Sequence, residues 1–147
     1  MRSLNYGNGV TNEYQYDLLN RLANLVWQAN SSLVASYGYQ LKPGGTRISL
    51  MEPNGSGANG TNYAWSYDNL YRLTNEVISG LGIVGYGYDG VGNRTNRQSS
   101  ITGLATSASY TYDTNDQLTA SASLGSYTSD NNGNIIAPPG AGGEFRL

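Results

Sequence analysis

A short motif of alternating aromatic residues followed by an aspartate recurs along this chain and constrains its fold more than any other feature. Four copies keep the pattern well, at Tyr14–Leu22, Trp65–Leu73, Tyr86–Thr95 and Tyr110–Leu118. Two weaker copies span Tyr37–Arg47 and Tyr127–Ile135. The second position of the aromatic pair falls at 16, 39, 67, 88, 112 and 129, which gives a loose period. Such self-similarity predicts a repeat protein in which each copy forms one small structural unit.

Each copy has the pattern of a β-hairpin. Residues two apart in a strand point to the same face, so Tyr86 and Tyr88 form a patch of two rings. The aspartate that follows can accept a backbone N–H and start a turn, and Gly or Asn next supplies positive φ at low cost. Return strands then begin near Arg21, Arg72 and Gln117. Because an isolated hairpin is marginal in water, we predict that successive hairpins stack and bury their aromatic faces together.

One window also fits a helix. Leu18, Leu22 and Leu25 recur at helical spacing, so 17–27 alone is compatible with an amphipathic helix. The equivalent windows 90–96 and 114–119 are poor helix formers, and we therefore expect hairpins throughout. Ahead of the first copy, Asn8-Gly9 predicts a type I′ hairpin turn.

The composition supports an all-β protein and narrows its function. The 147 residues include 20 Gly and 13 Tyr but no His or Cys, and the formal net charge is −2. Tyr and Thr favour strands, while Gly and Asn favour turns. We expect no nucleic-acid partner, no disulfide framework and no Cys-based metal site. No apolar run is long enough for a membrane span, and the N-terminus lacks the pattern of a signal peptide.

Two motifs could carry a ligand. Gly85–Gly90 matches G-x-G-x-x-G, but a dinucleotide site needs a helix after it, which Gly92-Asn93 disfavours. We therefore assign these glycines to turns and close packing and expect no cofactor. The segment Asp130–Asn134 begins like a calcium loop, yet Ile135 and Ala141 occupy positions where an EF-hand needs Gly and Glu. A looser calcium site at this turn stays open as an alternative to a simple Asx turn.

The recurring charged and aromatic residues each allow a structural and a functional interpretation. Asp17 with Arg21, Asp68 with Arg72, and Asp89 with Arg94 are predicted ion pairs across the turns, worth little when exposed. The acids lie at equivalent turns rather than in one pocket, so paired-carboxylate catalysis is disfavoured and we expect no enzyme. The tyrosines are predicted to pack between hairpins, with a sugar-binding face as the alternative.

The repeated Tyr-x-Tyr-Asp-x-x-Asn/Gly-Arg-Leu unit, with Tyr6–Val10 ahead of it, resembles the YD (Rhs) repeat family over roughly residues 5–136. Members include bacterial Rhs toxins, the shell-forming components of insecticidal toxin complexes, and teneurins. In these proteins the repeats form a ribbon of β-hairpins that spirals into a hollow shell around a toxin. The family's C-terminal core motif, Asp-Pro-x-Gly-Leu, is absent here, so the resemblance implies a segment of shell wall from a larger protein.

The prediction is therefore an all-β fold in which stacked antiparallel hairpins form a curved, spiralling open sheet, a partial shell. Residues 1–136 form the repeat region, with about six units in a single domain, and residues 137–147 form a Pro/Gly-rich tail expected to be disordered. The signature residues are structural: Tyr14, Tyr16, Asp17, Arg21, Tyr37, Tyr39, Arg47, Trp65, Tyr67, Asp68, Arg72, Tyr86, Tyr88, Asp89, Asn93, Arg94, Tyr110, Tyr112, Asp113, Tyr127 and Asp130.

The expected function is that of a non-catalytic wall segment that encapsulates or presents a toxin or other cargo. Expected partners are flanking repeats or an encapsulated polypeptide, and open sheet edges favour self-association. The parent protein is expected to be secreted or at the cell surface. The alternative is a secreted or cell-surface module that binds carbohydrate or a partner protein through its Tyr/Asn-rich surface.

Overall fold

A computed structural model describes residues 2–53, 60–122, 125–130 and 132–137 of the chain. The predicted tail falls almost wholly on residues 138–147, which lie outside the described residues. Among those described, every regular element is a β-strand. The strands are β1 (Arg2–Asn5), β2 (Val10–Tyr16), β3 (Leu22–Ala29), β4 (Ser32–Leu41), β5 (Arg47–Glu52), β6 (Thr61–Tyr67), β7 (Leu73–Ile78), β8 (Gly82–Tyr88), β9 (Arg94–Ser99), β10 (Ser107–Tyr112), β11 (Leu118–Ser121), β12 (Gly125–Ser126), β13 (Thr128–Ser129) and β14 (Ile135–Ala137).

The strands pair in chain order, which confirms the predicted antiparallel hairpin fold. Neighbours in the main sheet run from β1 to β12 without a crossover, and β13 pairs with β14 in a separate two-stranded sheet. The sheet is open, with β1 at one end of the order and β12 at the other. The window that also fitted a helix, 17–27, forms a turn over 17–21 and then β3 as far as Trp27, so tertiary pairing overrode its helical period. No described helix is long and apolar enough to cross a membrane.

The chain groups into two compact units, Met1–Ile83 and Val84–Leu147. In the first unit, register places Tyr14 opposite Leu25, and Leu25 opposite Tyr37. Because paired residues share a face, the tyrosines of β2 and β4 lie on the same side of the sheet. The predicted aromatic face is therefore present in this unit. The opposite, polar face carries residues such as Asn24 and Gln40.

The second unit repeats this arrangement. Tyr86 pairs with Arg97, which in turn pairs with Ala108 in β10. Alternation along β10 then puts Tyr110 and Tyr112 on the same face as Tyr86. The most buried described residues of this unit also lie on the aromatic face: Val84, Ser99, Ala108 and Ser121.

Burial is shallow throughout. No side chain among the described residues is completely buried, and Val84 and Ala108 are the buried hydrophobic ones. Large apolar side chains such as Trp27 and Leu4 stay half exposed on the aromatic face. A single layer of sheet lacks a second layer to cover it, and most domains bury their apolar face against such a layer.

One predicted turn is wrong in type. Only Gly9 of the Asn8-Gly9 pair has positive φ, at 81°, whereas a type I′ turn needs positive φ at both central residues. The Gly9 N–H donates to the Tyr6 carbonyl, and the Tyr6 N–H donates to Val10, which closes a longer turn with a bulge. A pair with positive φ occurs instead at Asn30 and Ser31, between β3 and β4.

Candidate functional site

The repeated turns are the best-defined local structure of the chain. In the turn Asp17–Arg21, the Asp17 N–H donates to the Arg21 carbonyl at 2.9 Å, and the Asn20 N–H donates to the Asp17 carbonyl at 3.0 Å. The Asp17 carboxylate accepts from the backbone N–H groups of Leu19 and Arg21, both at 2.9 Å. The aspartate therefore ties the turn together through its side chain and its backbone, as an Asx turn does.

This turn recurs in every predicted unit. In each turn, the backbone N–H of the first residue donates to the carbonyl of the residue four positions later, at 2.8 to 3.0 Å. In the second hairpin, Lys42 occupies the aspartate position. The backbone hydrogen bonds of the turn are kept there without a carboxylate. Next to each turn the register slips by one residue, which marks a β-bulge beside the residue that precedes the turn. In the second hairpin this residue is Leu41, so the predicted second aromatic position, Tyr39, lies two residues too early. The turns are Asp17–Arg21, Lys42–Thr46, Asp68–Arg72, Asp89–Asn93, Asp113–Gln117 and Asp130–Asn134.

The third residue after the first position of each turn adopts a left-handed conformation. The sequence predicted positive φ directly after the aspartate, and it occurs two residues further on. The residues at this position are Asn20, Gly45, Tyr71, Gly92, Asp116 and Gly133. Gly, Asn and Asp tolerate positive φ, but Tyr71 at 61° is an outlier for a bulky residue. Its side chain is 71% exposed.

The residue four after the aspartate completes the turn. Arg21 and Arg72 form ion pairs with their aspartates at 2.7 and 2.6 Å, as the sequence predicted. In the third pair, the Asn93 side-chain amide donates to the Asp89 carboxylate at 3.0 Å. The predicted partner of Asp89, Arg94, begins β9, and its guanidinium lies over the rings of Tyr86 and Tyr110.

Contacts between turns link neighbouring hairpins. The Arg21 guanidinium donates to the carbonyls of Lys42 and Pro43 at 2.8 and 3.1 Å. In the second compact unit, Val84–Leu147, the Asn93 side-chain amide donates to the Asp116 carboxylate at 2.8 Å. These bonds place adjacent turns side by side, so the signature residues serve the stacking as well as the turn.

Hydrogen bonds lower the pKa of several turn aspartates. The pKa of Asp17 is lowered mainly by the hydrogen bond from the Arg21 backbone N–H, and that of Asp68 by the bond from the Arg72 backbone N–H. Each bond outweighs the opposing effect of desolvation. For Asp89, desolvation acts to raise the pKa, but donation from Asn93, Gly92 and Val91 leaves it lowered. These carboxyls are therefore held in the ionised form, which suits a hydrogen-bond acceptor and disfavours a general acid.

Tyrosine hydroxyls form a second link between hairpins that the sequence did not indicate. Tyr67 donates to the Arg47 carbonyl at 2.9 Å, and Tyr112 donates to the Arg94 carbonyl at 3.0 Å. In both cases the second tyrosine of one hairpin binds the first residue of the return strand of the preceding hairpin. Burial raises the pKa of Tyr112. The only sequence signal for this link is that Tyr, rather than Phe, fills the position.

Arginine and aromatic rings also pair on the aromatic face. The Arg47 guanidinium lies 4.3 Å from the centre of the Tyr39 ring, and Arg94 lies 4.7 Å from the centre of Tyr110. Tyr63 and Trp65 form a stacked pair of nearly parallel rings, with ring planes 12° apart and centres separated by 6.0 Å. The Trp65 indole N–H donates to Glu76.

The two candidate ligand motifs lie in ordinary hairpins. Gly87 sits within β8, where an added Cβ would collide with the side-chain amide of Asn96, and β8 leads through a turn into β9. The Asp130 carboxylate accepts from the backbone of Asn132 and Asn134 at 2.9 Å and from the Asn134 amide at 3.0 Å. No cluster of three or more acidic, His or Cys side chains suited to a metal occurs in the described ranges.

A shallow groove of about 480 Å³ crosses the polar face of the first unit. Gly38, Ser49 and Ala64 contribute small residues to its lining, and Met51, Asn62 and Val77 flank them. None of the residues that line it carries a charge.

The remaining signature residues lie where the hairpin interpretation places them. Tyr14 and Tyr16 are in β2, Tyr37 and Tyr39 are in β4, and Tyr86 and Tyr88 are in β8. Tyr127 lies between β12 and β13, and its N–H donates to the Thr119 carbonyl. The structure gathers the signature residues into turns and rows along the sheet and brings no set of them into a catalytic pocket.

Comparison with known proteins supports the fold. No family model matches the chain, and no curated protein matches it. Among solved structures, the crystal structure of TcdB2-TccC3-TEV matches with a TM-score of 0.67 at 15% identity, over 97% of this chain and 10% of that one. The crystal structure of TcdB2-TccC3-Cdc42 matches with a TM-score of 0.64 at 16% identity, over 88% of this chain and 9% of that one. The chain thus shares its hairpin fold with a segment about a tenth of the length of these toxin-complex chains.

Proposed function

We propose that this chain is a non-catalytic segment of the wall of a toxin-associated shell built from YD repeats. The observation that carries the proposal is the series of hairpins paired in chain order, with no completely buried side chain among the described residues. A layer that cannot form its own core is suited to a role within a larger surface, continued by flanking hairpins. The fold shared with the toxin-complex chains supports this role.

The local chemistry favours a structural role over an enzymatic one. The turn carboxylates are used by their own backbone N–H groups and by neighbouring turns. The parent protein would be secreted or exposed at the cell surface, with flanking repeats and an enclosed polypeptide as partners. Any hydrolytic turnover that a single Asp→Asn substitution abolishes would contradict this proposal.

A graft tests the wall proposal directly. The chain replaces the segment that it matches in the TcdB2-TccC3 chain, and protease resistance of the remainder of that chain is measured. We expect the graft to preserve resistance. A matched graft that carries Asp17→Ala and Asp68→Ala should lose it, because both turns lose their carboxylate. Loss of resistance in the unmodified graft, with correct folding by circular dichroism, would contradict a wall function.

A second candidate, carbohydrate binding, is favoured by the stacked pair of Tyr63 and Trp65. Both rings are partly exposed on one face of the sheet, and an exposed aromatic ring can stack on the apolar face of a sugar. A glycan array separates the two functions. Saturable glycan binding that is lost in Trp65→Ala but retained in Tyr86→Ala would favour this second function. Absence of glycan binding would favour the role of a wall segment.

A further inference from the structure

A row of turns in the first unit presents large apolar side chains to solvent. We call the turns Asp17–Arg21, Lys42–Thr46 and Asp68–Arg72 the turn rim. Leu18 is 105% exposed, Leu19 65% and Leu70 68%. Isolated exposed apolar residues are common on protein surfaces, so exposure alone would mean little. Here the exposed leucines lie at the tips of the first and third turns, on either side of the turn Lys42–Thr46.

The contacts between hairpins fix the turn rim as a row. Arg21 donates to the carbonyls of Lys42 and Pro43, which joins the first turn to the second. Tyr67 donates to the carbonyl of Arg47, which joins the second hairpin to the third beside their turns. Since strands in a sheet lie about 4.8 Å apart, neighbouring tips are separated by roughly 10 Å and the row extends about 20 Å.

Tyr71 provides a second, independent observation. It adopts a φ of 61° where the equivalent positions on this rim hold Asn20 and Gly45. A bulky residue in the left-handed region is strained, and strain at an exposed position is a marker of function. The Tyr71 side chain is 71% exposed.

The charges of the turn rim favour a partner whose surface is uncharged or anionic. Asp17 and Asp68 are each paired with an arginine of their own turn. Lys42 is exposed and has no carboxylate partner within the described ranges. The rim therefore combines protruding leucines, an amphipathic tyrosine and an uncompensated cation.

We propose that the turn rim docks on a lipid bilayer that contains anionic headgroups. Leucine tips can enter the apolar boundary of the bilayer, tyrosine prefers the interface, and lysine attracts anionic lipid. A bilayer accommodates several separate convex tips, whereas a folded protein would need a matching pocket for each. This inference is independent of the wall function proposed above.

Flotation with vesicles of phosphatidylcholine and phosphatidylglycerol in equal parts tests the proposal. We expect the chain to float with these vesicles, and the double variant Leu18→Ser with Leu70→Ser to bind more than about tenfold more weakly. The matched control is Val91→Ser, which removes an apolar side chain 75% exposed at a turn outside the rim. It should bind as the unchanged chain does.

Tyr71→Gly separates the binding role from a structural one. This variant should unfold at a higher denaturant concentration, because the strain is removed, and should bind the same vesicles more weakly. Absence of vesicle binding, equal loss in the Val91 control, or unchanged binding in both rim variants would each overturn the proposal. The unchanged chain should bind more weakly to vesicles of phosphatidylcholine alone, because these lack the anionic lipid that attracts Lys42.

Discussion

At the scale of single residues, each position of the turn has one physical task. The aspartate supplies acceptors for N–H groups that the turn would otherwise leave unpaired. The third following residue adopts positive φ, and in the turns that end at Arg21 and Arg72 the fourth donates from its side chain to the carboxylate. The motif therefore states what the turn requires at each of its positions.

Tyr71→Gly is expected to stabilise the chain. The left-handed conformation costs a residue with a Cβ about 1 kcal/mol or more, and glycine avoids this cost. The free energy of unfolding, measured with urea, should rise by about 1 kcal/mol. Leu70→Gly is the matched control, since Leu70 is equally exposed but does not share the positive φ. A similar gain in the control would contradict the explanation.

The turn aspartates predict an acid-sensitive fold. The pKa values of Asp17 and Asp68 are lowered in the folded chain, so their contribution to stability is complete above the unfolded value of about 3.9 and is lost as pH falls through the folded value. The urea concentration at the midpoint of unfolding should decrease as the pH is lowered from about 5 to about 2. In the double variant Asp17→Asn with Asp68→Asn, this dependence should be shallower, and an unchanged slope would assign it to other groups.

At the scale of the element, the hairpin consists of a turn, a bulge beside the residue that precedes the turn, and two strands. The second hairpin keeps this geometry although Lys42 occupies the aspartate position. Backbone hydrogen bonds and Gly45, with a φ of 91°, are thus sufficient for the conformation. The carboxylate adds stability to a turn that the backbone already forms.

Lys42→Asp should therefore stabilise the second hairpin. The new carboxylate would lie where it can accept from the backbone N–H groups of Gly44 and Thr46, as Asp17 accepts from Leu19 and Arg21. We expect the free energy of unfolding to rise by about 1 kcal/mol. Lys42→Ala removes the same cation without adding an acceptor and should leave it nearly unchanged. If both variants behave alike, loss of the cation rather than the new acceptor is responsible.

The tyrosine link between hairpins predicts a small, specific cost. Tyr67→Phe removes the hydroxyl that donates to Arg47 and leaves the ring in place. The free energy of unfolding should fall by about 0.5–1.5 kcal/mol. Tyr63→Phe is the control, because no described group accepts a hydrogen bond from the Tyr63 hydroxyl. An equal loss in the control would show that the hydroxyl acts through solvation instead.

At the scale of the whole molecule, shallow burial is the dominant property. In each unit, tyrosine side chains remain partly exposed on the aromatic face of the sheet. Stability must come from many local terms, namely strand pairing, turns and ring contacts, rather than from a central core. Repeat proteins commonly distribute their stability in this way.

The heat capacity of unfolding should reflect this architecture. Globular domains show roughly 12–15 cal/mol/K per residue, and the value depends mainly on the apolar area that unfolding exposes. Scanning calorimetry of this chain should give a smaller value per residue. A value in the globular range at every protein concentration would mean that the aromatic face is covered in solution.

The sequence by itself determined the repeat, the hairpins, the turn positions and the shared face of the tyrosines. These follow from patterns within about ten residues, where side-chain alternation and turn chemistry are strong. Only the tertiary structure decided the turn type, the bulge, the bond from Tyr67 to Arg47 and the placement of Arg94 over Tyr86 and Tyr110. These depend on register within and between hairpins, because a shift of one residue exchanges the partners of every side chain.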